Sequence, residues 1–411
     1  MTSELVALSD EFHREDSFDS AFKLIVALRR HGRAEESSEV LNSMVVRDLP
    51  AHWSCQFAVC AHELGLNETS IALFGRGMPG MTSDTDRMVC MIDLAAAKFA
   101  VGCYHEAHPI YRTLREPRWL AIQHAYSGGE NYWWKPFADR FLLQDQSVDG
   151  RRILVVHDEG GIGDVFQMIR YVDELRREGA TRVYVIGPQA VAGLLATKAG
   201  AEVHAGWVPE SDWDLFCNTF SLFARYQAHP FSPHWDDAYL FADPAFPPPQ
   251  AAVMALRQRS ERPKVGIVWR SSTTARHEPF RSMPLSVLAP VLDYDGVDWF
   301  SLQVDGSSEE ELALMRRFSV EHIGGQLRSF GNTAHVLQRL DLLISIDSAP
   351  VHLAGALGRP VWALLCKAPD YRWYDDVRFT PWYPSARLFR QERLGDWSNV
   401  IGDLSREIRA L

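Results

Sequence analysis

The chain has little that would tie it to a membrane, a nucleic acid or a structural metal. No apolar run approaches the roughly 20 residues that a bilayer-spanning helix needs. The first residues, Met1-Thr2-Ser3-Glu4, lack the basic start and apolar stretch of a secretory leader. The expectation is a cytoplasmic protein with no transmembrane segment. The cysteines (Cys55, Cys60, Cys90, Cys103, Cys217 and Cys366) form no Cys-x-x-Cys pair and no Cys/His cluster of zinc spacing. Most fall before residue 118, where a small buried hydrophobe is the expected role. Positive charge is also short: 42 Lys and Arg against 53 Asp and Glu give a net charge of −11. Nonspecific nucleic-acid binding relies on phosphate neutralisation and is not expected, while a local basic pocket for a small phosphate stays open. What is present is 411 residues, 46% of them hydrophobic, enough for two or three domains with sizeable cores.

Residues 1–118 read as helical, with Phe18, Ala21, Phe22, Ile25, Val26 and Leu28 at helical spacing. Gly32, Gly65 and Gly102 each precede such a segment and recur near the tetratricopeptide period of about 34 residues. Each would sit in the turn of a helical hairpin. A stack of this kind presents a surface for a partner, or else only packs on the rest of the chain or makes a homo-oligomer. Residues 119–150 read as an aromatic connector ending in Asp149-Gly150, a turn signal.

From 151 the pattern changes to βαβ units, which predict parallel sheets. Residues 151–245 form a first α/β domain, opening on the strand Ile153-Leu154-Val155-Val156. Pro247-Pro248-Pro249 is a stiff break that sets the domain boundary. Residues 246–395 form a second α/β domain, with strands expected at Val265 to Trp269, Trp299 to Gln303, Asp341 to Asp347 and Val361 to Leu365. Residues 396–411 close the chain as a helix.

The most informative stretch runs from Ile344 to Trp362. A buried-strand pattern breaks at Asp347-Ser348-Ala349-Pro350, an apolar helix follows, and Gly358 and Pro360 end it. In open α/β sheets ligands bind outside the carboxyl ends of strands, where helix N-termini point. The stretch Asp347-Ser348-…-His352-Leu353-Ala354-Gly355-Ala356-Leu357-Gly358, followed by a Trp/Tyr-rich tail, resembles the C-terminal motif of the heptosyltransferase-type glycosyltransferases. Within that family it is most similar to members fused to tetratricopeptide-like helices, and the resemblance covers about 130–405. It implies the GT-B arrangement: two Rossmann-like α/β domains facing across a cleft, here preceded by the all-α region. It also implies that the last helix crosses back over the first α/β domain.

Sugar transfer needs a base for the acceptor hydroxyl, charge stabilisation for the departing nucleotide diphosphate, and both substrates held away from water. The loop Gly160-Gly161-Ile162-Gly163-Asp164 joins a strand to a helix. It lacks the Gly-Lys-Ser/Thr of a P-loop, and its Asp would repel phosphate. It therefore suits an acceptor hydroxyl, with Gly161 and Gly163 on the acceptor side. By resemblance Asp164 is the general base; the plain alternative is a helix cap.

The segment Arg270 to Ser282 carries Arg270, Ser271, Arg276 and Arg281 just before the helix near Pro284. Arginine suits phosphate oxygens, and by resemblance Arg281 contacts the diphosphate. Gln303, Asp347, Ser348, Ala349 and His352 complete the expected donor site, with Asp305 or Glu309 as candidates for a ribose-holding acid. No metal site and no cofactor are expected; the nucleotide-diphosphate sugar is a substrate. The aromatic tail suits either stacking on a base or sugar, or core packing.

Three readings follow. The first is an inverting, metal-independent transferase using a nucleotide-diphosphate sugar, ADP-heptose being one candidate, with a glycan or protein acceptor. The second is a protein O-glycosyltransferase using a UDP- or CMP-sugar. The third is a non-catalytic GT-B scaffold that binds a partner through its helices.

Overall fold

A computed structural model describes residues 2–128, 132–230, 238–245, 247–258, 261–271, 278–304, 307–374 and 378–411. The helical region holds three hairpins: Phe18–Arg30 with Ala34–Val45, Ala51–Glu63 with Asn67–Gly77, and Asp84–Ala100 with Tyr104–Leu114. Gly32, Gly65 and Gly102 occupy the three turns with φ of 75°, 76° and 76°. Only glycine takes that left-handed conformation without a Cβ penalty. The next residue's N–H then reaches back over the turn, as from Leu66 to the Ala61 carbonyl at 2.8 Å. That bond satisfies a carbonyl the ending helix would otherwise orphan. Ala21, Ile25, Leu41, Phe57 and Phe74 fill the core between hairpins.

The helices run on past residue 118. Pro117–Gly128 forms another, since proline at a first helical position loses no needed donor. The aromatic connector then covers one face of the first sheet, with Trp134 and Phe141 packed against Leu154, Trp213 and Phe216.

The first sheet comprises β1 (Arg152–Val156), β2 (Arg182–Ile186), β3 (Glu202–His204) and β4 (Leu215–Asn218), all parallel in the order β3-β2-β1-β4. The second comprises β5 (Lys264–Val268), β6 (Asp298–Ser301), β7 (Glu321–His322), β8 (Leu342–Ile346), β9 (Val361–Leu365), β10 (Phe379–Thr380) and β11 (Tyr383–Arg390). Its order is β10-β11-β9-β8-β5-β6-β7, with only the β10–β11 pair antiparallel. Chain order reverses beside β1 and beside β5, so crevices open at the carboxyl ends of β1, β4, β5 and β8.

One apolar core joins the two sheets: Val165, Phe166 and Ile169 of the first domain pack with Val351, Trp373 and Trp382 of the second. The fully buried Arg170 bolts the seam, donating at 2.7 Å to the Trp382 carbonyl and at 2.7 Å to the Tyr239 hydroxyl.

One expectation is corrected here, and one pair of alternatives is decided. The last helix, Ser398–Glu407, does not cross back to the first domain. Its Val400, Ile401 and Leu404 fill the second domain's own core beside Val265, Leu285 and Trp299, and Arg387 of β11 pins Glu407 with two 2.7 Å bonds. Of the two readings of the aromatic tail, core packing holds along most of its length. Trp373, Trp382 and Tyr383 are 0%, 1% and 1% exposed and belong to the core; Tyr383 opens β11, which adds to the sheet beside β9, and Trp382 stands just before it.

Candidate active site

The site is built from three strand-to-helix turns. The first follows β1. Gly160 turns with φ of 80°, and the helix Ile162–Met168 begins at once. Asp164 stands at its third position and turns back, one carboxylate oxygen accepting the Gly161 N–H at 2.5 Å. The other oxygen is ion-paired with Arg372 of the second domain. The helix-cap reading of Asp164 is therefore physically present, and it leaves part of the carboxylate facing the cavity. A Cβ at Gly160 would stand 2.6 Å from that carboxylate. A Cβ at Gly163 would stand 2.7 Å from the His352 ring and 3.4 Å from Ala349 Cα. Glycine here lets the two domains' helix starts meet.

The second turn follows β8. Asp347 is buried, Ser348 is extended at the N-cap, and the helix Ala349–Ala356 follows with Pro350 in its first turn. Burial pushes the Asp347 carboxyl up toward its neutral form, against the pull of Arg281 and Arg372. His352 stacks on Trp373 at 5.3 Å, and its Nδ1 lies 2.9 Å from the Tyr383 hydroxyl. Burial, with Arg372 nearby, lowers the imidazole to about 3. The 3.8 Å approach of His352 Nε2 to Asp347 is thus a contact with a neutral ring, not an ion pair.

The third turn follows β5. Arg281 donates to Ser271 Oγ at 2.6 Å, and Ser282 and Ser271 both donate to Glu278, at 2.6 and 3.3 Å. Arg270 is held by Glu311 at 2.9 and 3.1 Å. Gln303, 2% exposed, spends its amide on the backbone: it accepts from Trp269 and Arg270 N–H at 3.3 Å each and donates to the Arg270 carbonyl at 3.1 Å. It shapes this loop instead of offering a free amide. Arg276 and Asp305 lie outside the described residues. Glu309 is exposed on the helix Glu309–Arg317 and does not reach the cavity.

All three turns open onto one cavity of about 1260 Å³. Asp164, Gly161, Gly163, Arg270, Ser271, Arg281, Gln303, Asp347, Ser348, Ala349 and His352 all line it. Residues the sequence reading missed also line it. Arg372 sat in view as the one cation of Tyr371-Arg372-Trp373-Tyr374. Arg115 gave no signal. It ends a helix of the all-α region, lies over the Tyr111 and Phe220 rings at 5.2 and 5.5 Å, and ion-pairs with Glu159 of the first turn. With Phe99, Tyr111 and Leu114 it makes the helical region a third wall.

Two α/β sheets facing across a cavity, with an acid on one lip and a helix start and arginines on the other, are the GT-B arrangement. Residues 309–397, inside the second domain, match the family model of glycosyltransferase family 9 (heptosyltransferase). The chain is 24% identical over 457 residues to the protein FlbA of Caulobacter vibrioides, a similarity that spans 96% of this chain and 73% of FlbA. Among solved structures it is similar to a family 9 glycosyl transferase of Veillonella parvula, with 13% identity, 65% and 97% of the two chains covered, and a TM-score of 0.42. It is also similar to E. coli ADP-heptose lps heptosyltransferase II, with 15% identity, 63% and 99% covered, and a TM-score of 0.39. No helix among the described residues is long and apolar enough to cross a membrane.

Proposed function

We propose that the chain transfers a sugar from a nucleotide-diphosphate donor to an acceptor hydroxyl with inversion and without a metal. One observation carries this: Asp164 and the Asp347-Ser348-Ala349 turn face a single cavity, with Gly163 against His352. In the step, Asp164 takes the hydroxyl proton and the acceptor oxygen bonds to the anomeric carbon. The bond to the diphosphate oxygen breaks, and the nucleotide leaves with the electron pair. A single displacement of this kind inverts the centre. Arg281 and the start of the helix Ala349–Ala356 receive the developing negative charge. Burial raises the Asp347 carboxyl, and Arg281 and Arg372 stand near it, which lessens its repulsion of a phosphate. The family resemblance makes ADP-heptose the first donor to try, and supplies the metal independence. The acceptor enters along the helical wall of Tyr111, Leu114 and Arg115. That wall also keeps a protein acceptor with a UDP- or CMP-sugar in play.

A thermal-shift screen of ADP, UDP, GDP and CMP tests this. A nucleotide at 100 times its Kd stabilises the fold by about 2.7 kcal/mol. Selective stabilisation by ADP is expected, selective stabilisation by UDP or CMP moves the assignment to the second donor class, and no shift with any nucleotide sinks the transferase reading.

A further inference from the structure

Asp164 is held from the opposite domain. Arg372 lies after β9, on the second domain, yet its guanidinium ion-pairs with Asp164 and donates at 2.9 Å to Gln167 Oε1, both on the first domain's helix Ile162–Met168. Its other nitrogens are fixed at home. Nε donates to Asp370 Oδ1 at 2.8 Å and Nη2 to Asp370 Oδ2 at 3.3 Å, while the Arg372 carbonyl accepts the Trp382 indole N–H at 2.8 Å. Arg372 is 7% exposed, so it does not swing freely in solvent. The carboxylate of Asp164 thus receives one donor from each domain: the Gly161 N–H on one oxygen and Arg372 on the other. A carboxylate has about four lone-pair sites. Two remain, and the side chain keeps 15% of its surface exposed at the cavity.

Resting on the transferase reading, we infer that Arg372 is a positioning residue. It aims the Asp164 carboxylate at the acceptor hydroxyl and supplies its counter-charge from the opposite domain, so base competence depends on a contact made across the seam. Asp370 is the strut that holds Arg372 to this task. The guanidinium fork explains why the residue is Arg: one cation spans Asp370, Gln167 and Asp164 at once, which the point charge of Lys does not do.

The test uses the full chain and measures kcat, KM and nucleotide Kd for Arg372→Ala, Arg372→Lys, Asp370→Asn, Asp164→Asn and the Asp164→Asn/Arg372→Ala double variant. Arg372→Ala is expected to lower kcat by about 30- to 100-fold with both KM values and the nucleotide Kd within about twofold. Arg372→Lys recovers a few-fold of that, and Asp370→Asn loses about tenfold. Because Arg372 acts through Asp164, the double variant is no slower than Asp164→Asn alone. Millimolar guanidinium restores part of kcat to Arg372→Ala and nothing to the double variant. Losses that multiply in the double variant would overturn the inference, as would a nucleotide Kd weakened tenfold or more by Arg372→Ala. Should Arg372→Ala fold poorly, Arg372→Lys and Asp370→Asn carry the same kcat-against-KM reading. A wild-type chain that binds no nucleotide would instead sink the transferase reading.

Discussion

The turns after β1 and after β8 are built to the same plan with opposite materials. Both put an aspartate where a buried parallel strand hands over to a helix. The first uses glycines and leaves Asp164 reaching back to a backbone N–H, partly open to the cavity and tethered by an arginine from across the seam. The second uses serine and proline, and buries Asp347 at 6% exposure beside a neutral imidazole. Burial pushes the Asp347 carboxyl up toward its neutral form, while Asp164 keeps part of its carboxylate open to the cavity, so the two acids are prepared for different tasks. The open, cation-backed acid suits a proton acceptor, and the buried one suits a wall that must tolerate phosphate. Similar strand–turn–helix chemistry thus yields two roles, separated by what surrounds each carboxylate.

The largest test of that division is Asp164→Asn, which keeps the shape and removes the base. Transfer should fall by about 10²- to 10⁴-fold, while the Kd for the stabilising nucleotide stays within twofold. Loss of nucleotide binding together with transfer would merge the two roles. Next is Arg115→Ala, which leaves the half-buried Glu159 carboxyl without its partner. Leaving such a group unpaired costs about 1–3 kcal/mol, read as a lowered denaturant midpoint. If Arg115→Met/Glu159→Gln recovers most of it, the pair is a bolt between helical wall and first turn. Equal losses in both would mean that packing on Tyr111 and Phe220 dominates.

The close approach of the two turns can be broken without touching either acid. Gly163→Ala sets a methyl 2.7 Å from the His352 ring. Overpacking of this kind costs about 1–3 kcal/mol, and transfer should drop as the seam is pushed open. Gly75→Ala is the control, since nothing lies within 4 Å of its added Cβ. A Gly163→Ala protein as stable and active as the control would show that the contact is slack. Arg281→Ala comes next in size. A hydrogen bond to a charged group contributes about 1.5–3 kcal/mol, so the nucleotide Kd should weaken about tenfold or more by calorimetry. An unchanged Kd would leave Arg281 a local role, tied to Ser271 and Glu278.

Much of this was legible in the chain because buried parallel strands advertise themselves as unbroken apolar runs. β5, β8 and β9 were readable for that reason, and each handed its following loop to the candidate site. What escaped reading has physical causes. β3 and β7 are three and two residues long, too short to show a period. β11 begins Tyr383-Pro384 and interleaves Arg387 and Arg390, the pattern of a strand near a sheet edge, and it passes for an aromatic tail. Arg115 and Arg372 come from segments 44 and 208 residues away from their first-domain carboxylates (115 to 159, 164 to 372). No local spacing announces a pairing made by closure. Gln303, expected in the donor site, lines the cavity with its amide engaged by the backbone around Arg270, because nothing in a sequence says which side-chain donors the backbone will consume.

The smallest predicted effect isolates the second turn. His352 is lowered by burial to about 3 in the folded chain, against an ordinary value of 6.5. Below pH 6.5 the unfolded chain therefore binds a proton that the folded chain refuses. Stability falls as pH drops from 6.5 toward 3 and is unaffected by this group above 6.5. At pH 5.5 the contribution is about 1.4 kcal/mol. Asp347, raised by burial, acts in the opposite sense: the folded chain holds its proton at pH values where the unfolded chain has released it. It remains in both proteins of the comparison, as do Asp164, Asp370 and Arg372 around the ring. Urea unfolding at pH 7.0 and 5.5 should show the wild type losing about 1.3 kcal/mol more than His352→Gln over that interval. Equal losses would mean that the imidazole takes up its proton inside the fold. It would then stand as a cation beside Asp347, and the second turn would carry positive charge of its own to a phosphate instead of relying on Arg281 and the helix start.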